Sequence, residues 1–376
     1  MNILVTSGRA PASLELIRLL SLGGHTVHVA DSFDIHISKR SKGVFKNHLV
    51  PRPRQETVAY GDALEDIILE EKIDLVIPTF EESFWVSRFK KRLETYCPVF
   101  VDELSKLRKL HNKSDFIKYC QELGIQAPSS TEVHSKIELN EALSDLEQVV
   151  LKPSFSRFGE EVLVKPSAKE ISSIDFTNQR SWVIQEFLDG PQFCSYALCR
   201  DGHVLASAIY PSEIKSNKVS LNFRHIEHQA IHEWVKNFAK KSNFTGQLSF
   251  DFIDSEKGLM AIECNPRMTS GLHLFEDRDD FHTIFENDFN SILTPSLKVR
   301  NMMGILVILY GMGDFKNITS NIKTFIQSRD IIFRRNDIMP FFDQFKTFIW
   351  LAIQSRRHGI SLSKFTTVDI EWNGEV

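Results

Sequence analysis

The sequence predicts a mixed α/β and α+β protein in three parts: a parallel-sheet unit over residues 1–103, a strand-rich region over 104–295 and a mixed extension over 296–376. Three observations carry this. The first thirty residues read strand, helix, strand; the stretch from Gly124 to about Asn265 is dominated by strand patterns; and 376 residues exceed what one hydrophobic core usually supports. With 42% hydrophobic and 25% charged residues the chain is neither disordered nor fibrous, and a net charge of −4 disfavours a general nucleic-acid binder. The 29 Phe, 6 Tyr and 5 Trp read as core packing. Five cysteines without a C-x-x-C pair argue against structural zinc and against a disulfide scaffold. The start MNILVTSGRAPAS lacks the pattern of a signal peptide, and no apolar run approaches the ~20 residues of a membrane span, so a cytoplasmic location is expected.

Ile3 to Val5 is a short apolar run, Ser7 to Pro11 a turn, Leu14 to Leu22 a helical pattern ended by Gly23-Gly24, and Thr26 to Ala30 a second apolar run. Such a unit implies a parallel sheet whose crevice lies at the carboxyl ends of its strands, near Thr6 to Pro11. A dinucleotide site is disfavoured there, because Ser7-Gly8-Arg9-Ala10-Pro11 is not G-x-G-x-x-G and Asp31 alone is weak support. A helix over about Asp62 to Glu71 and a strand at Leu75 to Pro78 lead into Thr79-Phe80-Glu81-Glu82. Those two acids sit where ligand contacts would fall, and equally where a capped helix would begin. A helix from Asn112 to Leu123 follows. Val149 to Pro153 is then a strand carrying Lys152, before the small-residue loop Ser154 to Gly159. That arrangement suits phosphate held by backbone amides and a lysine, and suits a solvated strand end as well.

The most informative stretch is Gln247 to Ile253, a turn over Asp254 to Gly258, and Met260 to Arg267. Both arms alternate. With a side-chain period of two, Leu248, Phe250 and Phe252 face one way with Met260, Ile262 and Cys264, while Gln247, Ser249 and Asp251 share the other face with Glu263 and Asn265. A hairpin whose paired numbers sum to 514 sets Asp251 opposite Glu263. Hard cations take oxygen ligands, so Asp251, Glu263 and Asn265 form a half-shell for Mg²⁺, with Mn²⁺ as the substitute; two acids facing water is the bland alternative. Arg267, two residues beyond, favours the first reading because it can reach anionic oxygens on the same cation. Cys264 faces the apolar side and reads as core.

In this order, these motifs resemble the ATP-grasp superfamily of ligases, nearest to its carbamoyl-phosphate-synthetase-like branch. The resemblance spans residues 1 to 275 and implies a nucleotide gripped between two antiparallel-sheet subdomains behind the N-terminal parallel sheet. It implies that Lys113 and Lys152 contact phosphates, with Ser154, Ser156 and Gly159 in a phosphate lid. Val183 to Gly190 would be the adenine hinge, presenting Gln185, Glu186, Phe187 and Leu188, with the backbone of Glu186 and Leu188 on the base. Gln192 would stand where many relatives place an acid on the ribose. Asp251, Glu263 and Asn265 would hold Mg²⁺, and Arg267 would steady the transferring phosphate. No second copy of the unit and no glutamine-hydrolysing domain are present, which disfavours full carbamoyl phosphate synthesis.

The implied chemistry is carboxylate–amine ligation through an acyl phosphate, with ATP and Mg²⁺ required, small-molecule acid and amine substrates, and a homodimer as one option. Arg267 and Lys152 are the expected catalytic pair. On the acceptor side, Ser270 and Gly271 would lie near the carboxylate, Glu81 and Glu82 would receive the amine, and Arg9 would bind a second anion. The rival class is a non-catalytic nucleotide sensor that keeps the fold. Asn301 to Tyr310 reads as a strand. Pro340 to His358 reads as a helix that serves as a packing or dimer surface more readily than as an interfacial membrane helix. Asp337 and Asp343 have no role at this level.

Overall fold

The computed structural model describes the chain except residues 144–147, 157–160, 177–179, 213–214, 217–218, 221, 287–290, 299, 303–327 and 376, and the side chains of 215–216, 219–220, 222, 300 and 302. Apolar runs bounded by turns build the first sheet. Strands β1 (Asn2–Thr6), β2 (Thr26–Asp31), β3 (Lys46–Leu49) and β4 (Leu75–Pro78) pair in parallel in the order β3-β2-β1-β4. Helix Pro11–Leu22 starts on a proline, whose missing N–H is harmless in a first turn, and stops at Gly23 and the left-handed Gly24. The second helix runs Thr57–Glu70, five residues ahead of the expected start at Asp62.

Two antiparallel sheets follow, as the sequence resemblance implies. One joins β5 (Ser130–Val133), β6 (Val149–Pro153), β7 (Leu163–Val164) and β8 (Trp182–Glu186) in the order β5-β8-β6-β7. The other joins β9 (Gln192–Arg200), β10 (His203–Pro211), β11 (Gly246–Ser255) and β12 (Gly258–Asn265) in the order β10-β9-β11-β12. Helix Gln229–Ser242 lays Trp234 and Phe238 on this sheet, the two rings stacked at 5.2 Å, with Trp234 edge-on to Phe250 at 4.9 Å. The phenylalanine excess thus goes into packing. A helix at Leu104–His111 precedes Lys113–Glu122 and has no counterpart in the sequence reading.

The parallel sheet and the second antiparallel sheet share a core. Ile3, Val5, Leu16 and Leu20 pack with Tyr196, Ala208 and Leu272. The C-terminal segment closes over the same unit. Asp337 accepts from Arg18 Nε at 2.9 Å and Ser41 Oγ at 2.7 Å, and Asp343 pairs with Arg40 at 2.6 Å, so both aspartates clamp the extension to the first ninety residues. The helix expected at Pro340 to His358 is Met339–His358. Trp350 of this helix meets Phe33 at 4.9 Å, while Phe342, Phe345 and Ile349 stay exposed. Trp372 stacks on Phe84 at 4.9 Å. Of the strand expected over Asn301 to Tyr310, Arg300–Met302 is a strand and 303–310 lie outside the described residues. No helix among the described residues is long and apolar enough to cross a membrane.

Candidate functional site

The hairpin β11–β12 sets Asp251 opposite Glu263, Phe250 opposite Cys264 and Ser249 opposite Asn265, the register expected from the sequence. Directly after Asp251 the register slips, so that Phe252 faces Ala261 and Ile253 faces Met260. This bulge overturns part of the expected alternation: Met260 and Ile262 leave the Phe250 side and gather with Leu188 and Ile253 in a small apolar cluster. Ile262 is the extra residue. Its carbonyl accepts from Lys152 Nζ at 2.8 Å, a contact that regular pairing would not offer. Cys264 is buried in the main core, as expected.

Asp251 is half-buried, and desolvation followed by the facing Glu263 pushes its carboxyl above the ordinary aspartate range. The Cys194 thiol, directly across from it on β9, hydrogen-bonds this carboxylate and works the other way. Cys194 was not legible as a site residue because only sheet pairing brings it there. Lys152 donates also to Gln185 Oε1 at 3.2 Å, and burial lowers its ammonium to about 8 against the pull of Glu263. The Gln185 amide nitrogen is buried with no partner among the described residues, so Gln185 serves the site through Lys152 and keeps a spare donor. Lys113, first residue of a helix capped by Asn112, places Nζ 3.2 Å from Ser156 O and 3.6 Å from Glu263 Oε1. Two ammonium groups thus converge on two carboxylates. A pair of opposed, half-buried carboxylates offering only oxygen donors fits a hard divalent cation. Asn265 offers the third oxygen, now 3.3 Å from Arg267 Nη2.

Strand β8 ends at Glu186. The Glu186 N–H donates to Ser129 O at 3.0 Å, while the Ser129 N–H turns to the Glu186 carboxylate at 2.8 Å and so does not take the Glu186 carbonyl. Phe187 donates its N–H to Gln148 O at 3.0 Å and Leu188 is buried beside Met260. Leu188, Ile253, Met260 and Ile262 are therefore the apolar wall of the hinge. Gln192 opens β9 opposite Ile253 and is exposed.

The other expected site residues hold the following partners. The Ser154 hydroxyl donates to Glu132 at 2.9 Å and accepts from Ser181 at 2.8 Å, at the end of the sheet. Ser156 contributes its carbonyl, to Lys113. Gly159 lies outside the described residues. Arg9 lines the cavity with its fork on Asp31 at 2.6 Å, Asp369 at 2.7 Å, Ser32 and the Thr366 carbonyl. Glu82 accepts from the Thr79 N–H at 2.8 Å, the Phe80 N–H and Thr6 Oγ1 at 2.7 Å, latching the loop after β4. Burial raises its carboxyl to about 6 despite those bonds. Glu81, also buried, pairs with Arg267 Nε at 2.7 Å. At Gly271 a Cβ would overlap the Tyr196 side chain, so packing requires the glycine.

Asp251, Glu263, Asn265, Arg267 and Ser270 nevertheless line one cavity of about 510 Å³, closed on its far side by Arg9, Phe33, Thr347 and Thr366. The site is thus built from two antiparallel sheets, with paired carboxylates on the edge hairpin and two buried lysines facing them. Residues 110–271 match the family model of an ATP-grasp domain. The fold is similar to N5-carboxyaminoimidazole synthetase from Staphylococcus aureus in complex with ADP, with a TM-score of 0.66, 14% identity and coverage of 84% of this chain and 86% of that one. Biotin carboxylase from Campylobacter jejuni is similar with a TM-score of 0.61 at 13% identity, covering 79% and 74%. L-amino acid ligase from Bacillus licheniformis is similar with a TM-score of 0.57 at 16% identity, covering 77% and 74%. None of the curated proteins matches the chain.

Proposed function

We propose that this protein is an ATP-dependent carboxylate–amine ligase that activates an acid as its acyl phosphate. The observation that carries the reading is the convergence of Lys113 and Lys152 on Asp251 and Glu263, two carboxylates that line a cavity together with Arg267. A pure binder gains little from so complete a set of charges.

In this reading the base lies against Leu188, Ile253, Met260 and Ile262, with the Glu186 carbonyl and Leu188 amide at its edge. Lys113 and Lys152 exchange their present partners for phosphate oxygens. Asp251, Glu263 and Asn265 hold Mg²⁺ or Mn²⁺, which when bound neutralises charge on the β and γ phosphates. A substrate carboxylate oxygen attacks the γ phosphorus, the bond from that phosphorus to the bridging oxygen breaks, and ADP leaves. An amine nitrogen then attacks the acyl carbon, phosphate leaves, and the nitrogen loses a proton as the amide forms. Arg267, held by Glu81, meets the charge that builds on the transferring group. Alignment and charge neutralisation are most of what such a transfer asks of a protein. The division at residues 103 and 295 belongs to this proposal as a division of labour, because the buried cluster itself runs from Leu4 to Trp372.

Incubation of the full chain with ATP, Mg²⁺ and a pool of amino acids and other small acids and amines tests it. ADP, phosphate and a condensed product are expected, and all three should vanish with Glu263→Ala. ATP binding without turnover on any pool would favour the sensor class instead.

A further inference from the structure

A second cluster of donor groups lies at the opposite edge of the parallel sheet. His25 stands just before β2, whereas Asp31 at the far end of that strand holds Arg9 beside the cavity, so about 17 Å of strand separates the two. His25 Nε2 is 3.7 Å from Glu286 Oε1, and His282 Nδ1 is 3.1 Å from the same oxygen. All three donors lie within 4.8 Å of one another. His25 Nε2 is buried and has no hydrogen-bond partner among the described residues, while Nδ1 of the same ring faces the Met1 amine at 3.4 Å. An orphaned buried imidazole nitrogen turned toward a second histidine and a carboxylate is itself a sign of a missing ligand. Gly23 makes room for the arrangement, because a Cβ there would overlap the His282 ring.

We propose that His25, His282 and Glu286 bind a borderline divalent metal ion, Zn²⁺ by its donor preference, as a clip between the parallel sheet and the turn Phe281–Phe285. Two imidazoles and one carboxylate are the donors such ions take, and two ligands of a tetrahedral Zn²⁺ at about 2.0–2.1 Å lie roughly 3.3 Å apart. The 3.1 and 3.7 Å separations need only small side-chain adjustments to meet that. Glu286 is half-exposed, which gives the ion a path in and water a fourth position. Another cluster, His28, His48 and Glu71, differs in that neither of its imidazoles has a buried nitrogen without a partner: His28 Nδ1 and His48 Nε2 pair at 3.1 Å, and the Lys46 ammonium sits on Glu71.

The test uses the full chain, stripped with EDTA and titrated with Zn²⁺ against a chromogenic chelator in excess Mg²⁺, which keeps Asp251 and Glu263 out of the count. One Zn²⁺ per chain is expected, with a rise in thermal midpoint. His282→Gln and Glu286→Gln, both at solvent-accessible positions, should each weaken binding at least about tenfold, the lower bound for disturbing even an outer-shell partner, and should abolish the thermal shift. His48→Asn should change neither. Co²⁺ should give the visible absorption of a tetrahedral site in the wild type and lose it in His282→Gln. Absence of Zn²⁺ binding in the wild type, binding unchanged in His282→Gln, or binding lost in His48→Asn would each overturn the assignment.

Discussion

Arg267 and Glu81 form a 2.7 Å ion pair that ties the end of the metal hairpin to the loop after β4, with the Glu81 side chain fully buried. The pair fixes the guanidinium from behind, leaving it aimed along the cavity wall. Arg267→Lys keeps the charge but loses the planar fork, so it should lower the rate of ADP formation by about 10²- to 10³-fold, as deletion of a transition-state donor does, with ATP affinity changed far less. Steady-state kinetics against nucleotide titration checks this.

Asp251→Asn should act in opposite directions on stability and function. Removing one of two opposed carboxylates relieves their repulsion, so the ligand-free protein should gain up to about 1 kcal/mol in urea unfolding at pH 7. Mg²⁺-dependent nucleotide binding should fall sharply. A variant that loses both stability and binding would mean that Asp251 is a packing residue.

Glu82 carries a pH signature. Its carboxyl rises from 4.5 to about 6 in the folded state, chiefly through burial, so the folded chain binds the proton more tightly than the unfolded one. Stability from this group is therefore greatest below about 4.5 and is lost as pH rises through about 6, a change of about 2 kcal/mol. Glu82→Gln removes the titration. The difference in unfolding free energy, wild type minus variant, should fall by that amount between pH 4.5 and 7.

Gly271→Ala forces a methyl group against Tyr196 in a closed core. Overpacking of this kind should cost about 1–3 kcal/mol, read as a lower thermal midpoint. ADP formation should drop with it, because Ser270 and Thr269 next in the chain line the cavity.

Asp369→Ala should be the costliest of these changes. It leaves the buried Arg9 guanidinium with half its carboxylate partners, and breaking a buried pair costs about 3–5 kcal/mol. Chemical denaturation of Asp369→Ala against Asp369→Asn, which keeps an acceptor, separates charge from shape.

The alternation of Gln247 to Ile253 and of Met260 to Arg267, with one turn between them, was enough to set Asp251 against Glu263, because strand period and hairpin closure are local properties of the backbone. Lys152 at a strand end, Lys113 at a capped helix start and the parallel N-terminal unit were legible for the same reason. What periodicity does not carry is which distant group arrives at a given side chain. The bulge at Phe252, which hands the Ile262 carbonyl to Lys152, arises from how two strands match across their whole length. Asp369 reaches Arg9 across 360 positions of chain, Glu82 turns back onto Thr79 and Phe80, and Tyr196 closes on Gly271. Those pairings follow from long-range packing of three sheets and a C-terminal segment, and that packing decided that Arg9 meets Asp31 and Asp369 on the cavity wall while Glu82 latches the loop after β4.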